Sequence, residues 1–304
     1  MKKNESPTPE ADRKLRGLES LNQVEHDALL AVFEPLVNKK MKYFTLKGKR
    51  RKEASYQERS NISLPGAEQK LSFILMYMKE NPNQAYHGFA FGMAQSKVSE
   101  WISFLSPVLE EALIQMGFMP QCGDRWQYRG EQTDYFIADV TERQVPRRSD
   151  HDAQQEEYSG KKKDHTMKNL AITDEYGYVR FLSTSYEGTV HDKAIWDELD
   201  LEQTDHNMLL DLGFVGVEHE FPNAILPFKK PRKAELTPLQ KQINHVISKL
   251  RIRIEHAFAG VKRLKIIRNK IRLKSFDARD QMMRIATALH NLRWHFRGNL
   301  KTHS

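Results

Sequence analysis

Three carboxylates define the chemistry open to this chain. Asp139 ends the apolar run Tyr135-Phe-Ile-Ala-Asp139, Asp211 ends Met208-Leu-Leu-Asp211, and Glu255 lies inside a long helical pattern from Leu239 to Lys262. An ionised aspartate at the end of an apolar strand is costly unless it is paired or holds a cation. Taken singly, each aspartate reads as a cap on a turn or on the next helix. Taken with a helical glutamate, they become oxygen donors from separate elements, the set that a pair of Mg²⁺ ions requires. The chemistry is then phosphoryl transfer, one ion activating a water or hydroxyl and the other stabilising the leaving oxygen, with the ions about 4 Å apart. Arg251 and Lys262 share the helix face of Glu255 and would hold neighbouring phosphates. The alternative for that face is a solvated i,i+4 Arg251/Glu255 pair, worth roughly a few tenths of a kcal/mol.

The elements that must position these groups follow from periodicity. Ile243, Val246, Ile247, Leu250, Ile254, Phe258 and Val261 recur at three and four, so the Glu255 helix packs one face on a core. Strands are predicted at 135–140, 169–173, 179–184 and 208–211, with a helix over 193–199 before the last of them. A Pro-rich excursion (Pro222 to Pro238) precedes the Glu255 helix, and a further amphipathic helix spans Asp277 to Phe296 with Met282, Ile285, Ala286, Leu289 and Leu292 inward. Such an order gives an α/β unit, a mixed sheet flanked by helices.

Composition narrows the partners. With 304 residues the chain has room for two units, and 48 Lys plus Arg against 40 Asp plus Glu leave a formal charge of +8, which favours a polyanion, nucleic acid first. No apolar run reaches the roughly 20 residues of a membrane span, and the start has no apolar core like a signal peptide's, so a cytosolic protein without membrane contact is expected. Cys122 is the single cysteine, which excludes an intrachain disulfide and a cysteine-based zinc site. No Gly-rich phosphate loop, Gly-x-Ser-x-Gly elbow or paired-histidine zinc helix occurs.

The N-terminal third is helical in pattern. Residues 1–20 read as a flexible tail, and 21–120 as a helical domain beginning with a helix from Leu21 to Leu36. The basic run Lys39 to Lys52 reads equally as a solvated face or as a phosphate-contacting arm. Within 64–117, a helix ending at Asn81-Pro82, a second over Ala85 to Met93 and a third with Ser96 as its N-cap have helix-turn-helix spacing. The third would present Ser96, Lys97 and Ser99 to DNA, the alternative being a plain three-helix packing unit, and Ser106-Pro107 is expected to begin another helix. The turn-rich stretch 117–132 marks the boundary, with a short strand through Trp126 and Tyr128.

Five further pieces, in order, carry a family resemblance: Ile137-Ala-Asp139-Val-Thr-Glu142; Tyr158-Ser-Gly-Lys-Lys-Lys-Asp-His165-Thr-Met-Lys168; Gly188-Thr-Val-His-Asp192-Lys; Leu210-Asp211-Leu-Gly-Phe-Val-Gly216; and Arg251-Ile-Arg-Ile-Glu255-His-Ala-Phe-Ala-Gly-Val-Lys262. The chain resembles a DDE transposase of a bacterial insertion sequence, in the Harbinger-like DDE superfamily endonuclease branch, with an N-terminal helix-turn-helix. The resemblance implies an RNase H-like catalytic domain over 133–300 and an acidic triad of Asp139, Asp211 and Glu255. It implies metal ligation by these three and by Asp192, which equally reads as the cap of the helix beginning at Lys193. It further implies two Mg²⁺ ions, with Mn²⁺ able to substitute, and double-stranded DNA as partner, both element ends and target. DNA phosphates would meet Lys161, Lys162, Lys163, His165, Lys168, Arg251 and Lys262. The family's tyrosine three positions before the arginine is Ser248 here. A homo-oligomer on DNA and a nucleoid location follow from the same likeness. Two other classes compete with it: a DNA-binding protein derived from a transposase with an idle site, and a metal-dependent endonuclease without strand transfer.

Overall fold

The computed structural model of the chain describes residues 9–58, 62–130, 132–148, 150–273 and 275–298. The chain forms two compact units, one from the described residues of 1–119, 262–269 and 275–304, the other from 120–261 and 270–274.

The first unit is helical. It opens with α1 (Pro9–Glu19) and α2 (Gln23–Tyr43), then α3 (Gly66–Glu80), α4 (Gln84–Ala90) and α5 (Gln95–Gln115). Residues 1–8 of the expected tail lie outside the described residues, but 9–19 are helix. The chain around α1 is tied down: Asp12 accepts a hydrogen bond from Gln23 N (2.8 Å), and Ser20 Oγ from the buried Arg293 (2.9 Å). At the start of α2, Asn22 and Glu25 exchange side-chain and backbone hydrogen bonds in a capping box. This helix runs seven residues past the expected Leu36, so the first lysines of the basic run are helical.

The helix-turn-helix elements are α3, α4 and α5, and the turn depends on Gly88. A Cβ there would stand 2.5 Å from Met93 O, so only glycine lets the chain fold back so closely. α5 begins earlier than expected, at Gln95. Its N-cap is Ala94, without a side-chain cap bond, and Ser96 is already inside the helix. Nor does Pro107 start a new helix: α5 runs through it. Ser106 Oγ donates to Ile102 O (2.7 Å) and Lys40 Nζ to Phe104 O (2.8 Å), so side chains engage carbonyls next to the missing N–H.

Two further helices, α9 (Lys265–Arg268) and α10 (Phe276–Gly298), complete this unit. Within this unit α10 packs on α5. Arg284 and Gln281 hydrogen-bond the Glu110 carboxylate (2.6 and 2.7 Å), and Asn291 donates to Phe118 O (3.0 Å).

The second unit is the mixed α/β unit expected of an RNase H-like domain. In order it contains β1 (Gln121–Gly123), β2 (Arg125–Trp126), β3 (Tyr135–Gln144), α6 (His151–Glu157), β4 (Tyr158–Ser159), β5 (Asp164–Asp174), β6 (Val179–Ser183) and β7 (Tyr186–Glu187). Then come α7 (Asp192–Glu198), β8 (Asp200–Leu201), β9 (Asn207–Leu209), β10 (Ala224–Ile225) and α8 (Pro238–Val261). The main sheet has the order β1-β6-β5-β3-β9-β10; β5 is antiparallel to both neighbours, while β9 is parallel to β3 and β10 to β9. Phe136, Ala138 and Ile172 face a core with Trp196 and Phe214, and Ile137 and Leu209 pack against Ile254 of α8 on the other side. Helices therefore flank both faces. Among the described residues, no helix is long and apolar enough to cross a membrane.

Candidate active site

Strand register brings the first two carboxylates together. β9 runs parallel to β3 with Ile137 opposite Leu209 as the last pair. Two residues further on each chain, with side chains alternating, Asp139 and Asp211 emerge side by side on the face where Ile137 and Leu209 meet α8. Ile254 anchors α8 over that pair, and Arg251, almost one turn earlier, reaches both aspartates. Its Nη2 lies 3.2 Å from Asp139 Oδ2 and 3.9 Å from Asp211 Oδ2. Arg251 Nε is buried and makes no hydrogen bond.

The second oxygens are held by backbone. Asp139 Oδ1 accepts from Val140 N (2.8 Å), and Asp211 Oδ1 from Gly213 N (2.7 Å), capping a single 3₁₀ turn over Leu212–Phe214. Asp211 is thus a turn cap and a site group at once. Asp192 is not a cap: the N-cap of α7 is His191, and Asp192 is the first helical residue. Its Oδ1 accepts from Lys168 Nζ (3.2 Å), which also donates to Val190 O (2.6 Å).

Gly213 is the residue that sequence reasoning missed. A Cβ there would stand 2.9 Å from Asp192 Oδ2 and 2.9 Å from Asp211 Oδ1, so the absent side chain is what admits both carboxylates to one place. The signal was a glycine two positions after a strand-end aspartate.

Crowding of charge is felt at Asp139. Burial pushes its carboxyl up to about 6, with Asp211 and Asp192 adding to the rise and Arg251 and Val140 N opposing it. A carboxyl raised in the folded state costs stability progressively as pH climbs from its unfolded value to its folded one, and the full cost stands above the latter. Asp139→Asn is therefore expected to be more thermostable than the parent at pH 7–8 without divalent cations, the advantage shrinking as pH falls from about 6 towards 4. Melting temperatures across that range are the measurement, and a gap independent of pH would refute the assignment. The donor set also suits a hard divalent cation, since it consists of carboxylate oxygens whose mutual repulsion one guanidinium does not cancel.

Glu255 sits one turn beyond Arg251 on α8 and is exposed. Among the described residues, no three His, Cys, Asp or Glu side chains converge closely enough to hold one metal ion. Lys262 follows the last residue of α8 and belongs to the helical unit. Lys161, Lys162 and Lys163 are exposed in the β4–β5 turn, where Lys163 has φ +52° and its N–H bonds Ser159 O (2.7 Å). His165 is half-buried, its ring 5.7 Å from that of Tyr158. Lys168 differs from these, being engaged with Asp192. A cavity of about 450 Å³ extends from Asp192 and Gly213 past Lys168 to Gly160 and Lys161. In the helical unit, Ser96, Lys97 and Ser99 are exposed on α5, and Lys97 pairs with Glu100 (2.7 Å).

Residues 138–291 match the family model described as DDE superfamily endonuclease, just over half of the chain. The chain belongs to this family. A second match, to the helix-turn-helix of DDE superfamily endonuclease, covers residues 63–114 and so takes in α3, α4 and nearly all of α5. The endonuclease match runs into α10, so the family domain is longer in sequence than the sheet-bearing unit. The chain is also 24% identical over 208 residues, 67% of its own length and 73% of the relative's, to a probable transposase for insertion sequence element IS702 of Microchaete diplosiphon. No solved structure matches. The chain is thus a DDE-type nuclease or transposase with a DNA-binding helix-turn-helix, and DDE superfamily endonucleases use divalent metal ions.

Proposed function

We propose that the chain is the transposase of an insertion sequence, binding the terminal inverted repeats of its own element through α5 and cutting and joining DNA at the acidic site. The observation that carries this reading is a chain of contacts, Arg251 reaching Asp139 and Asp211 while Asp211 and Asp192 meet beside Gly213, in a chain that also bears a helix-turn-helix. Asp139, Asp211 and Glu255 are the catalytic carboxylates in this reading, with Asp192 as a further ligand. Two Mg²⁺ ions, or Mn²⁺ in their place, would supply Lewis-acid activation when bound.

The side chains then divide the work. In the first step a water oxygen bonds to the scissile phosphorus, the P–O3′ bond breaks, and the 3′-oxygen leaves as a hydroxyl. In the second, that 3′-oxygen bonds to a target phosphorus and displaces the target's 3′-oxygen. Asp139 and Asp211 hold their positions through bonds to Val140 N and Gly213 N, so little reorganisation is needed on loading. Arg251, already pointing into the site, would turn its guanidinium from the carboxylates to a non-bridging phosphate oxygen. Lys168 orients Asp192, and Lys161 in the cavity, with Lys162, Lys163 and His165 of the same stretch, would meet the phosphates of the strand. Two ends require two copies, so the working form is a homo-oligomer on DNA, at the nucleoid.

The test is incubation of purified protein with end-containing DNA and Mg²⁺. Nicks at the element end together with joined products are expected. Nicks alone would leave an endonuclease, and binding alone a DNA-binding protein. In the same assay Asp192→Asn should keep near wild-type stability, because the amide oxygen still accepts from Lys168 Nζ and Asp192 is not the N-cap of α7, while cleavage falls by about tenfold or more with loss of ligand charge. A fully active Asn variant would remove Asp192 from the site.

A further inference from the structure

The basic run after α2 takes no part in the site above, and it is not a loose arm. Its second half folds into a hairpin: Phe44 pairs with Arg50, Thr45 N bonds Lys49 O (2.9 Å), and Gly48 takes the left-handed turn position at φ +74°. Arg51 braces the base. Its N–H bonds Tyr43 O (2.8 Å), its Nε donates to Met41 O (3.0 Å) and Phe44 O (3.2 Å), and its guanidinium lies over the Tyr56 ring (5.3 Å). Lys47, Lys49 and Arg50 are left exposed.

The hairpin tip meets α5 within the same unit. Glu100 lies between the two elements, its Oε2 2.7 Å from Lys97 Nζ and its Oε1 3.9 Å from Lys47 Nζ. A cavity of about 470 Å³ separates them, with Leu46 and Arg51 on the hairpin side and Lys97 and Trp101 on the α5 side. Lys47 at the tip of a braced hairpin therefore lies beside the first turns of α5, where Lys97 is exposed.

We infer that the hairpin 44–51 is a second contact to duplex DNA, gripping the phosphate backbone beside the groove that α5 enters; this rests on the helix-turn-helix reading. Lysine and arginine on a braced turn neutralise phosphates without reading bases, so the hairpin adds affinity and salt dependence but no sequence preference.

The experiment is a binding titration at several salt concentrations with two duplexes, one carrying an end of the encoding DNA element and one scrambled. Lys47→Ala/Lys49→Ala/Arg50→Ala should lower the slope of log K against log salt by about 2 to 3, at about 0.9 for each phosphate no longer neutralised, and weaken both duplexes equally. The corresponding triple Gln variant keeps the side-chain bulk, is read if the Ala variant melts early, and should show the same slope. Lys97→Ala/Ser99→Ala should instead reduce the preference for the end duplex. A triple variant with the parent's slope, or a loss confined to the end duplex, overturns the inference while leaving the helix-turn-helix reading standing. Absence of salt-dependent affinity in the parent protein overturns both.

Discussion

Asparagine at Asp139 or Asp211 is expected to lower Mg²⁺-dependent nicking of end-containing DNA by about three orders of magnitude or more, with DNA-end binding unchanged. The amide keeps the size of each side chain, and its oxygen still accepts from Val140 N or Gly213 N, so strand ends and the 3₁₀ turn persist. What is lost is a negative oxygen donor in a site built of them. Forfeiting a metal position costs several kcal/mol of transition-state stabilisation, at about 1.4 kcal/mol for each tenfold in rate. Binding is expected to survive because the helix-turn-helix belongs to the other unit. Single-turnover cleavage beside a binding titration is the measurement, and wild-type nicking by either variant would end the assignment of this pair.

Glu255→Gln carries the second large effect, a loss of several orders of magnitude in cleavage with end binding intact. Glu255 is exposed, so the substitution opens no cavity and removes no buried bond. Arg251 directs its guanidinium to Asp139 and Asp211, so the face is not the solvated Arg251/Glu255 pair that helix spacing alone allows. For Glu255 to serve, its carboxylate must approach the aspartates when cation and DNA are bound. A Gln variant that nicks at the parent's rate with the parent's Mg²⁺ dependence would exclude α8 from the chemistry, leaving Arg251 as its sole contribution.

Much of the architecture was legible because it is local. The stripe Ile247, Leu250, Ile254 and Phe258 needs only the helical repeat to declare a buried face, and Ile254 does anchor α8 on the sheet. α3 ends at Asn81, just before Pro82, as a proline that cannot continue the helix requires. The short pieces around Asp139, Asp211 and Glu255 named the family before any tertiary neighbour was known, and the match over residues 138–291 agrees. Local rules misled where a distant interaction replaced a local one. Pro107 did not break α5, where Lys40 of another helix engages the neighbouring carbonyl of Phe104, and the hydroxyl of Ser96 did not cap it, since Ala94 is the N-cap.

Residue types and spacing by themselves determined the list of acids, the basic surface, the helix-turn-helix and the mixed α/β class. Tertiary structure alone decided which acids meet. Asp139 and Asp211 become neighbours only through the parallel register of β3 and β9, set by packing between segments far apart in the chain. Lys168, part of a basic run in sequence, was assigned to Asp192 by the fold of β5 against α7. Gly213 acquired its importance from what it leaves empty, and α10 its unit from an apolar face that fits α5. Periodicity says that a face must be buried; only the assembled shapes and charges say against what.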